Sequence, residues 1–271
     1  GGPTLTHALV VGGPAVDAGD PDFASPPDTD QRGAARVIGG RVDIGAVEGP
    51  TSRVLVGTFE DILDPEDGVW SLREAVIFAN NDPGDNVIQL AAGTYVLTIQ
   101  DGTGATGGDL DILDTDRLKI IGGGAEETTI DASALENRLF YVDGAELNLA
   151  GVTLTGGKRD EGGAIHAAGG QLFVSDSTPR QNESRGEGGA IFAEGGQVTI
   201  AGSKFADNAG RDGGAVYAVG TELSIRDSIF SGSVSRTLVG STRADGGAIY
   251  TSQSSTMIVH SSISNSTAED K

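Results

Sequence analysis

An acidic run in the first half of the chain has the residue types for metal binding or for acid–base chemistry. It contains Asp109, Asp111, Asp114 and Asp116, directly after a glycine-rich stretch. Carboxylate oxygens are the ligands that Ca²⁺ prefers, and carboxylates that converge within about 5 to 9.5 Å could hydrolyse a glycosidic bond. We interpret the run as a solvated or calcium-holding turn, with Asp109, Asp111 and Asp114 as candidate metal ligands.

A second set of acidic residues recurs at regular intervals. An acid followed by Gly-Gly-Ala and Ile or Val begins at Glu161, Glu187, Asp212 and Asp245, with spacings of 26, 25 and 33 residues. This period indicates stacked units that would align the four carboxylates in one column, and like charges in a column repel one another. Arginines that could pair with the column precede it by one or two residues: Arg159, Arg185, Arg211 and Arg243. The column could also bind divalent cations, so all four acids are candidate ligands.

Each repeat also carries a ring-bearing side chain directly after its Ile or Val. These side chains are His166, Phe192, Tyr217 and Tyr250. Stacked along one face, they could bind sugar rings. They could also form a hydrophobic column inside the coil or half covered by a turn, and the spacing does not distinguish these interpretations.

The segments between the motifs predict short strands. They alternate in hydrophobicity, as strands with one buried face do, in the series Leu147-x-Leu149, Leu172-x-Val174, Val198-x-Ile200, Leu223-x-Ile225 and Met257-x-Val259. A second apolar segment follows at Val152 with Leu154, at Phe205, at Ile229 with Phe230, and at Ile263. No stretch is long enough for the crossover helix of an ordinary parallel sheet. We therefore predict an all-β parallel β-helix whose coils stack at roughly 4.8 Å, with a protruding loop around Arg236 to Ala244.

One amphipathic helix is predicted ahead of these coils. Ser71 and Glu74 form the S-x-x-E pattern of a capping box. Leu72, Ala75, Val76 and Ala79 lie on one face, and the turn after Asn80 ends the helix. We expect this helix to cover the open end of the first coil, where strand edges would otherwise recruit other chains.

Composition and charge exclude several classes of function. The chain has 43 glycines in 271 residues and 5% aromatic residues, which suits the thin core of a solenoid rather than one large globular core. The net charge of −21 argues against nucleic acid and anionic membranes as partners. Cysteine is absent, which excludes disulfides and thiolate chemistry. No run of apolar residues is long enough to span a membrane. The chain begins in the middle of a motif pattern rather than at the start of one. We therefore expect it to be a segment of a longer polypeptide.

Particular motifs carry a resemblance to a known family. Trp70-Ser-Leu-Arg-Glu-Ala75 resembles the Cys-Ser-Leu-Arg-Glu-Ala signature that opens a family of bacterial secreted parallel β-helix domains, with Trp70 in place of the cysteine. Asp109-Leu-Asp-Ile112, Ile121-Gly-Gly-Gly124 and the Gly-Gly-Ala-Ile repeats are similar to the body of those domains. Residues 15–48 resemble the closing segment of choice-of-anchor β-helix proteins. The resemblance implies a right-handed parallel β-helix in an exported, often surface-anchored bacterial protein, and it implies no activity.

The order of these motifs predicts the domain organisation. The closing segment comes first, so residues 1–50 are predicted to end one module, residues 51–84 to supply a strand, an acidic loop and the capping helix, and residues 85–271 to form the coils. We hypothesise that the closing segment covers the last coil of another copy, head to tail. It could instead pack on its own solenoid. The residues expected at the head-to-tail contact are Asp17, Asp20, Arg32, Asp43, Met257, Val259 and Ile263.

These expectations favour a structural role over catalysis. We predict a rod or self-assembling fibre unit of a large secreted or cell-surface protein, with itself as partner, no nucleic-acid partner, no membrane insertion and Ca²⁺ at acidic turns. The alternative is an adhesin or a polysaccharide-binding or polysaccharide-cleaving module that uses the face of His166, Phe192, Tyr217 and Tyr250. The chain lacks the Asn-Thr-Asp, Asp-Asp, Gly-His-Gly and Arg-Ile-Lys signatures of polygalacturonases, so an enzyme is the less favoured interpretation.

Overall fold

The computed structural model describes residues 19, 42, 44, 51–82, 84–100, 102, 104–113, 117–237 and 244–269. Within these ranges the chain is almost entirely β-structure, with one α-helix, α1 (Leu72–Ala79), and one turn of 3₁₀-helix at Gly104–Thr106. Most of segment 1–50 and residues 238–243, where a protruding loop is predicted, lie outside them. So do seven residues singled out above: Asp17, Asp20, Arg32, Asp43, Asp114, Asp116 and Arg243.

The described strands follow one another through seven coils, numbered here along the chain. A leading strand, β1 (Thr51–Leu55), precedes α1. Coil 1 contains β2 (Asp85–Gln89), β3 (Gly93–Val96) and β4 (Leu110–Ile112), and coil 2 contains β5 (Arg117–Ile121), β6 (Thr128–Asp131) and β7 (Phe140–Asp143). Coil 3 contains β8 (Glu146–Ala150), β9 (Thr153–Thr155), β10 (Lys158–Arg159) and β11 (Ile165–Ala168). Coil 4 contains β12 (Gln171–Ser175), β13 (Thr178–Arg180), β14 (Glu183–Ser184) and β15 (Ile191–Glu194).

The last three coils follow the same order. Coil 5 contains β16 (Gln197–Ala201), β17 (Lys204–Ala206), β18 (Ala209–Gly210) and β19 (Val216–Val219). Coil 6 contains β20 (Glu222–Arg226), β21 (Ile229–Ser231), β22 (Val234–Arg236) and β23 (Ile249–Ser252). Coil 7 contains β24 (Ser255–Val259), β25 (Ser262–Ser264) and β26 (Thr267–Glu269).

Equivalent strands of successive coils pair in parallel and form four sheets. The first sheet has the order β1-β2-β5-β8-β12-β16-β20-β24, and the second has the order β3-β6-β9-β13-β17-β21-β25. The third has the order β10-β14-β18-β22-β26. The fourth, called the ladder sheet below, has the order β4-β7-β11-β15-β19-β23. Stacked parallel sheets joined without crossover helices confirm the predicted parallel β-helix.

The core is a set of columns that run from coil to coil. In the first sheet Leu147, Leu172, Val198 and Leu223 lie opposite one another and are fully buried, as their alternation predicted. In the second sheet Phe205 stacks on Phe230 with ring centroids 4.7 Å apart. The next residue in that column is Ile263, so the second predicted apolar segment is also confirmed.

The predicted alignment of the last coil is wrong by one residue. Thr256 and Ile258, rather than Met257 and Val259, lie opposite the core residues Leu223 and Ile225. Since successive side chains of a strand point to opposite faces, a one-residue shift exchanges the inner and outer sets. Met257 and Val259 therefore lie opposite the outward-facing Ser224 and Arg226. The spacing of 33 residues between Asp212 and Asp245 is the signal for this alignment, because the same spacing joins Leu223 to Thr256.

Each glycine of the Gly-Gly pairs meets a different requirement. The first, such as Gly188, has a φ of 64°, which side-chain-bearing residues rarely adopt. The second, such as Gly189, lies so close to the next coil that a Cβ would sit 2.1 Å from the carbonyl oxygen of Gly214. The repeated motif is thus explained by corner geometry and by coil-to-coil contact.

The capping helix forms as predicted. The Ser71 side chain accepts a hydrogen bond from the backbone N–H of Glu74, and the Glu74 carboxylate accepts one from the N–H of Ser71. Its apolar face joins the core, and the helix packs against β2 and β4. At its C-terminal end the Asn80 amide donates to the carbonyl of Asp111 (2.7 Å) and accepts from the N–H of Leu113 (3.0 Å). These two bonds satisfy one carbonyl and one N–H at the free edge of the ladder sheet.

A buried ion pair joins the acidic loop to this helix. Nε of Arg73 lies 2.7 Å from Oδ1 of Asp61, and both side chains are almost completely buried. The guanidinium also donates to the carbonyls of Ala105 (2.8 Å) and Gly108 (3.0 Å). Burial acts to raise the pKa of Asp61, but hydrogen bonds from Arg73 and from two backbone N–H groups outweigh it and lower the pKa below its usual value.

Buried asparagines link the coils through a ladder that the sequence patterns did not predict. Nδ2 of Asn182 donates to the Asn208 side chain (3.1 Å) and to the carbonyl of Leu154 (3.0 Å). Asn208 in turn donates to the carbonyl of Pro179 (3.0 Å). Such bonds satisfy buried polar groups at a corner.

In the ranges given above, no helix has the length and hydrophobicity needed to span a membrane.

Candidate functional site

The ring-bearing side chains lie in register on the outer face of the ladder sheet. His166 is paired with Phe192, Phe192 with Tyr217, and Tyr217 with Tyr250 on neighbouring strands. The row extends in the other direction to Tyr141 and Asp111, which precede the Gly-Gly-Ala repeats and are not marked by them. The adjacent residues in each strand belong to the core, so period-two alternation directs this row outward. We call it the ring ladder.

The rings of the ladder largely cover one another. Phe192 and Tyr217 are nearly parallel, at 11° and 5.4 Å between centroids, and Tyr217 and Tyr250 are parallel within 10° at 4.9 Å. His166 meets Tyr141 and Phe192 edge to face, at 5.2 and 4.8 Å. Stacking along the solenoid axis leaves the edges of the middle rings on the surface, so a sugar ring cannot lie flat on Phe192 or Tyr217. In the described ranges, the far face of Tyr250 has no ring against it.

His166 lies between two carboxylates. Its Nε2 is 3.2 Å from Oε1 of Glu194, and its Nδ1 is 3.8 Å from Oε2 of Glu161. Burial and the nearby charge of Arg138 lower the pKa of His166, and the two glutamates only partly offset them. The lowered pKa favours the neutral imidazole, in which one ring nitrogen donates a hydrogen bond and the other accepts one.

The acidic end of the ladder combines unlike charges. Nε of Arg138 lies 3.1 Å from Oδ2 of Asp109, and its guanidinium carbon is 5.6 Å from the ring centroid of Tyr141. Oδ1 of Asp109 accepts a hydrogen bond from the Asn137 amide at 3.1 Å. Burial and the charge of Asp109 raise the pKa of Asp111 to about 6. A carboxyl with this pKa can exchange a proton near neutral pH, which suits acid–base chemistry better than metal binding.

The four acids of the repeats do not converge on one point. Arg211 bridges two of them, pairing with Glu187 and, at 3.2 Å, with Asp212. The N–H of Asp245 donates to Oδ1 of Asp212 at 2.8 Å, and Glu161 faces His166. Among the described residues, no group of three or more His, Asp or Glu side chains has an arrangement that could hold a metal ion.

The predicted self-association residues divide into two kinds. Ile263 lies opposite the buried Phe230 and continues a core column, yet it is 51% exposed. Met257 and Val259 face outward, as shown above, and are also exposed. Ile258, which is not among the predicted contact residues, continues the column of Ile225 and is 44% exposed. Ile258 and Ile263 are therefore the large apolar side chains on the inner side of coil 7.

Comparison of the chain with models of protein families, with curated proteins and with solved structures finds no match in any of the three.

Proposed function

We propose that this chain is a structural β-helix module of a large secreted or cell-surface bacterial protein, a rod or fibre unit joined head to tail. The resemblance of the Trp70–Ala75 motif and of residues 15–48 to exported β-helix domains supports the setting. The uninterrupted stacking of coils supports the mechanical role, because each coil is stabilised mainly by its neighbours.

The two ends of the described solenoid differ. At the first coil, α1 covers the core and the Asn80 side chain satisfies the ladder-sheet edge. The Asp61 carboxylate satisfies two backbone N–H groups just after β3. Its Oδ2 accepts hydrogen bonds from the N–H groups of Thr98 (2.7 Å) and Ile99 (2.9 Å). These bonds occupy backbone groups that an added strand would need at the ladder-sheet edge and after β3, whereas the first sheet ends at β1.

The core columns that continue into coil 7 support the proposal, because a further unit stacked on this coil would extend the same columns. Ile258 and Ile263 continue columns whose previous members, Ile225 and Phe230, are fully buried. Contact between unlike ends is heterologous and does not close on itself, so it generates filaments. We assign the covering role to the closing segment, residues 1–48, of a neighbouring copy. A second apolar surface lies where the acidic loop meets α1. It contains a cavity of about 460 Å³, lined by Leu63, Val69, Trp70 and Phe78 among others.

Charge substitutions in coil 7 provide the test. Ile258→Lys and Ile263→Lys are expected to abolish filaments, because a buried unpaired ammonium is strongly unfavourable. Ile229→Lys is the matched control, since Ile229 is 48% exposed but outward-facing. Negative-stain electron microscopy and light scattering would measure assembly, with circular dichroism to confirm folding. Wild-type protein that stays a monodisperse monomer while residues 1–48 resist protease would contradict the proposal.

A second candidate function is recognition of a polysaccharide at the ring ladder. It is favoured by one observation, the far face of Tyr250, which no described ring covers. Because the net charge of −21 repels acidic polymers, a neutral oligosaccharide is the appropriate probe.

Loss of the Tyr250 ring tests this candidate. Tyr250→Ala should weaken oligosaccharide binding by roughly 2- to 12-fold, the equivalent of about 0.5–1.5 kcal/mol for one stacking contact. Calorimetric titration against a panel of neutral oligosaccharides would measure it. Phe59→Ala, which removes an exposed ring elsewhere, should leave binding unchanged. Binding that is equal in wild type and Tyr250→Ala would exclude the ladder as the site.

A further inference from the structure

Exposed large apolar side chains are concentrated at the two ends of the described solenoid. Five of them lie at the capped end, before α1, and four lie in coil 7, whereas only three lie elsewhere in the described part of the chain. The first group is Leu55, Phe59, Leu63, Val69 and Trp70, and the second is Met257, Ile258, Val259 and Ile263. Clustered exposed apolar side chains mark interaction sites, and two unlike apolar ends suit a head-to-tail contact.

The cavity at the capped end opens on the outer side of α1. The helix residues that face the core are Leu72, Ala75, Val76 and Ala79. Successive residues of an α-helix are rotated by about 100°, so Ile77 and Asn81, which line the cavity, lie on the opposite side. Because the core-facing side covers coil 1, the cavity faces away from that coil and toward whatever lies beyond the end of the solenoid.

The lining of this cavity suits an apolar partner. Trp70 and Phe78 meet edge to face, with ring centroids 5.4 Å apart. Leu63, Val69 and Trp70 are each 40–42% exposed although they border the same space. Tryptophan in a pocket is a frequent anchor of protein interfaces. A partner that filled the cavity would therefore bury three exposed apolar side chains at once.

Coil 7 has the complementary properties. Ile258 and Ile263 lie on its inner side, and they are exposed because no described coil stacks on them. The cavity adjoins an acidic loop, in which Asp64, Glu66 and Asp67 are exposed. The chain contains no acid between Asp245 and Glu269, so coil 7 can approach this loop without the like-charge repulsion that most of a chain with a net charge of −21 would meet.

We propose that the cavity receives coil 7 of a second copy of this chain, with Ile258 and Ile263 of one copy against Trp70 and Phe78 of the next. This inference rests on the head-to-tail assembly proposed above and names the surface that meets coil 7. Residues 1–48 lead into β1 and the acidic loop, so the closing segment and the cavity of one incoming copy reach the same joint.

Two variants blocked at opposite ends test the joint. Leu63→Glu places a charge in the cavity and Ile263→Lys places one in coil 7, and each alone is expected to lose filaments because burial of an unpaired charge is unfavourable. Mixed in equal amounts, they should form a complex of two chains and nothing longer, because the mixture retains one intact cavity and one intact coil 7 that can meet. Analytical ultracentrifugation would measure the mass. Leu113→Glu is the matched control, since Leu113 is 49% exposed and is not part of the cavity lining, and it should form filaments.

Trp70 provides a second readout that needs no variant in the cavity. It is the only tryptophan in the chain, so intrinsic fluorescence reports directly on the cavity. Filaments of the wild type should show a blue-shifted emission and weaker quenching by acrylamide than dispersed Ile263→Lys protein. This comparison still decides the question if circular dichroism shows that Leu63→Glu does not fold.

The possible failures can be told apart. If Leu63→Glu assembles as wild type does, or if Trp70 is quenched equally in filaments and in dispersed protein, coil 7 is covered by another surface and this inference is wrong, while the filament proposal stands. Loss of filaments in Leu113→Glu as well would show that any added charge near the capped end blocks assembly, which also contradicts a specific role for the cavity. Wild-type chains that never assemble would overturn both proposals.

Discussion

Arg73→Met is expected to lower the free energy of unfolding by about 3–5 kcal/mol, because it leaves the Asp61 carboxylate buried without its partner. The carbonyls of Ala105 and Gly108 would also lose their donor. Since solenoid coils depend mainly on their neighbours, the loss should be concentrated in α1 and coils 1 and 2. Hydrogen exchange resolved along the chain would show faster exchange there and little change in coils 5 to 7.

The exposed ion pair of coil 2 provides a control for this prediction. Arg117 contacts Glu146 at 2.6 Å, but its side chain is 51% exposed, so Arg117→Met should reduce stability by less than about 1 kcal/mol. The pKa of Asp61 is lowered in the folded state, so its contribution is present above about pH 4 and is lost as the pH falls through the lowered pKa. The difference between Arg73→Met and wild type should therefore shrink in acid. Equal effects of the two arginine substitutions would contradict the structural role of the buried pair.

Gly189→Ala is expected to reduce stability by about 3 kcal/mol, near the upper end for overpacking. The added Cβ would lie 2.1 Å from the carbonyl oxygen of Gly214 and 2.6 Å from the backbone of Ala209. Both contacts are with backbone of the solenoid, which cannot rotate away as a flexible side chain could. Thermal and denaturant unfolding would measure the loss, and it should be greatest around coils 4 and 5.

Gly220→Ala separates this effect from that of backbone conformation. Gly220 has a φ of 59°, but a Cβ there would meet nothing within 4 Å. Its substitution should be unfavourable by about 1–2 kcal/mol through the left-handed conformation alone. If Gly189→Ala proves no worse than Gly220→Ala, the close approach of the coils is not what requires the second glycine of the motif.

Local patterns in the sequence were sufficient to predict the architecture. The Gly-Gly-Ala repeats and the alternating segments predicted stacked parallel strands, because both the repeat period and the side-chain period of two are properties of neighbouring residues. The helix was predicted for the same reason, since its capping box joins residues three positions apart, Ser71 and Glu74. The same repeats placed His166, Phe192, Tyr217 and Tyr250 in one row before any contact was known.

Contacts between distant residues were decided only by the tertiary structure. Arg73 meets Asp61 and the carbonyl of Gly108 because the acidic loop and coil 1 fold onto the helix, and no local pattern encodes those contacts. The ring ladder was visible in sequence, but the direction of its rings depends on packing between coils. The cavity beside Trp70 appears only once the acidic loop has packed against α1. Repetition and alternation are local and can be read from the chain, whereas burial, ring orientation and hydrogen-bond satisfaction depend on which segments the fold brings together.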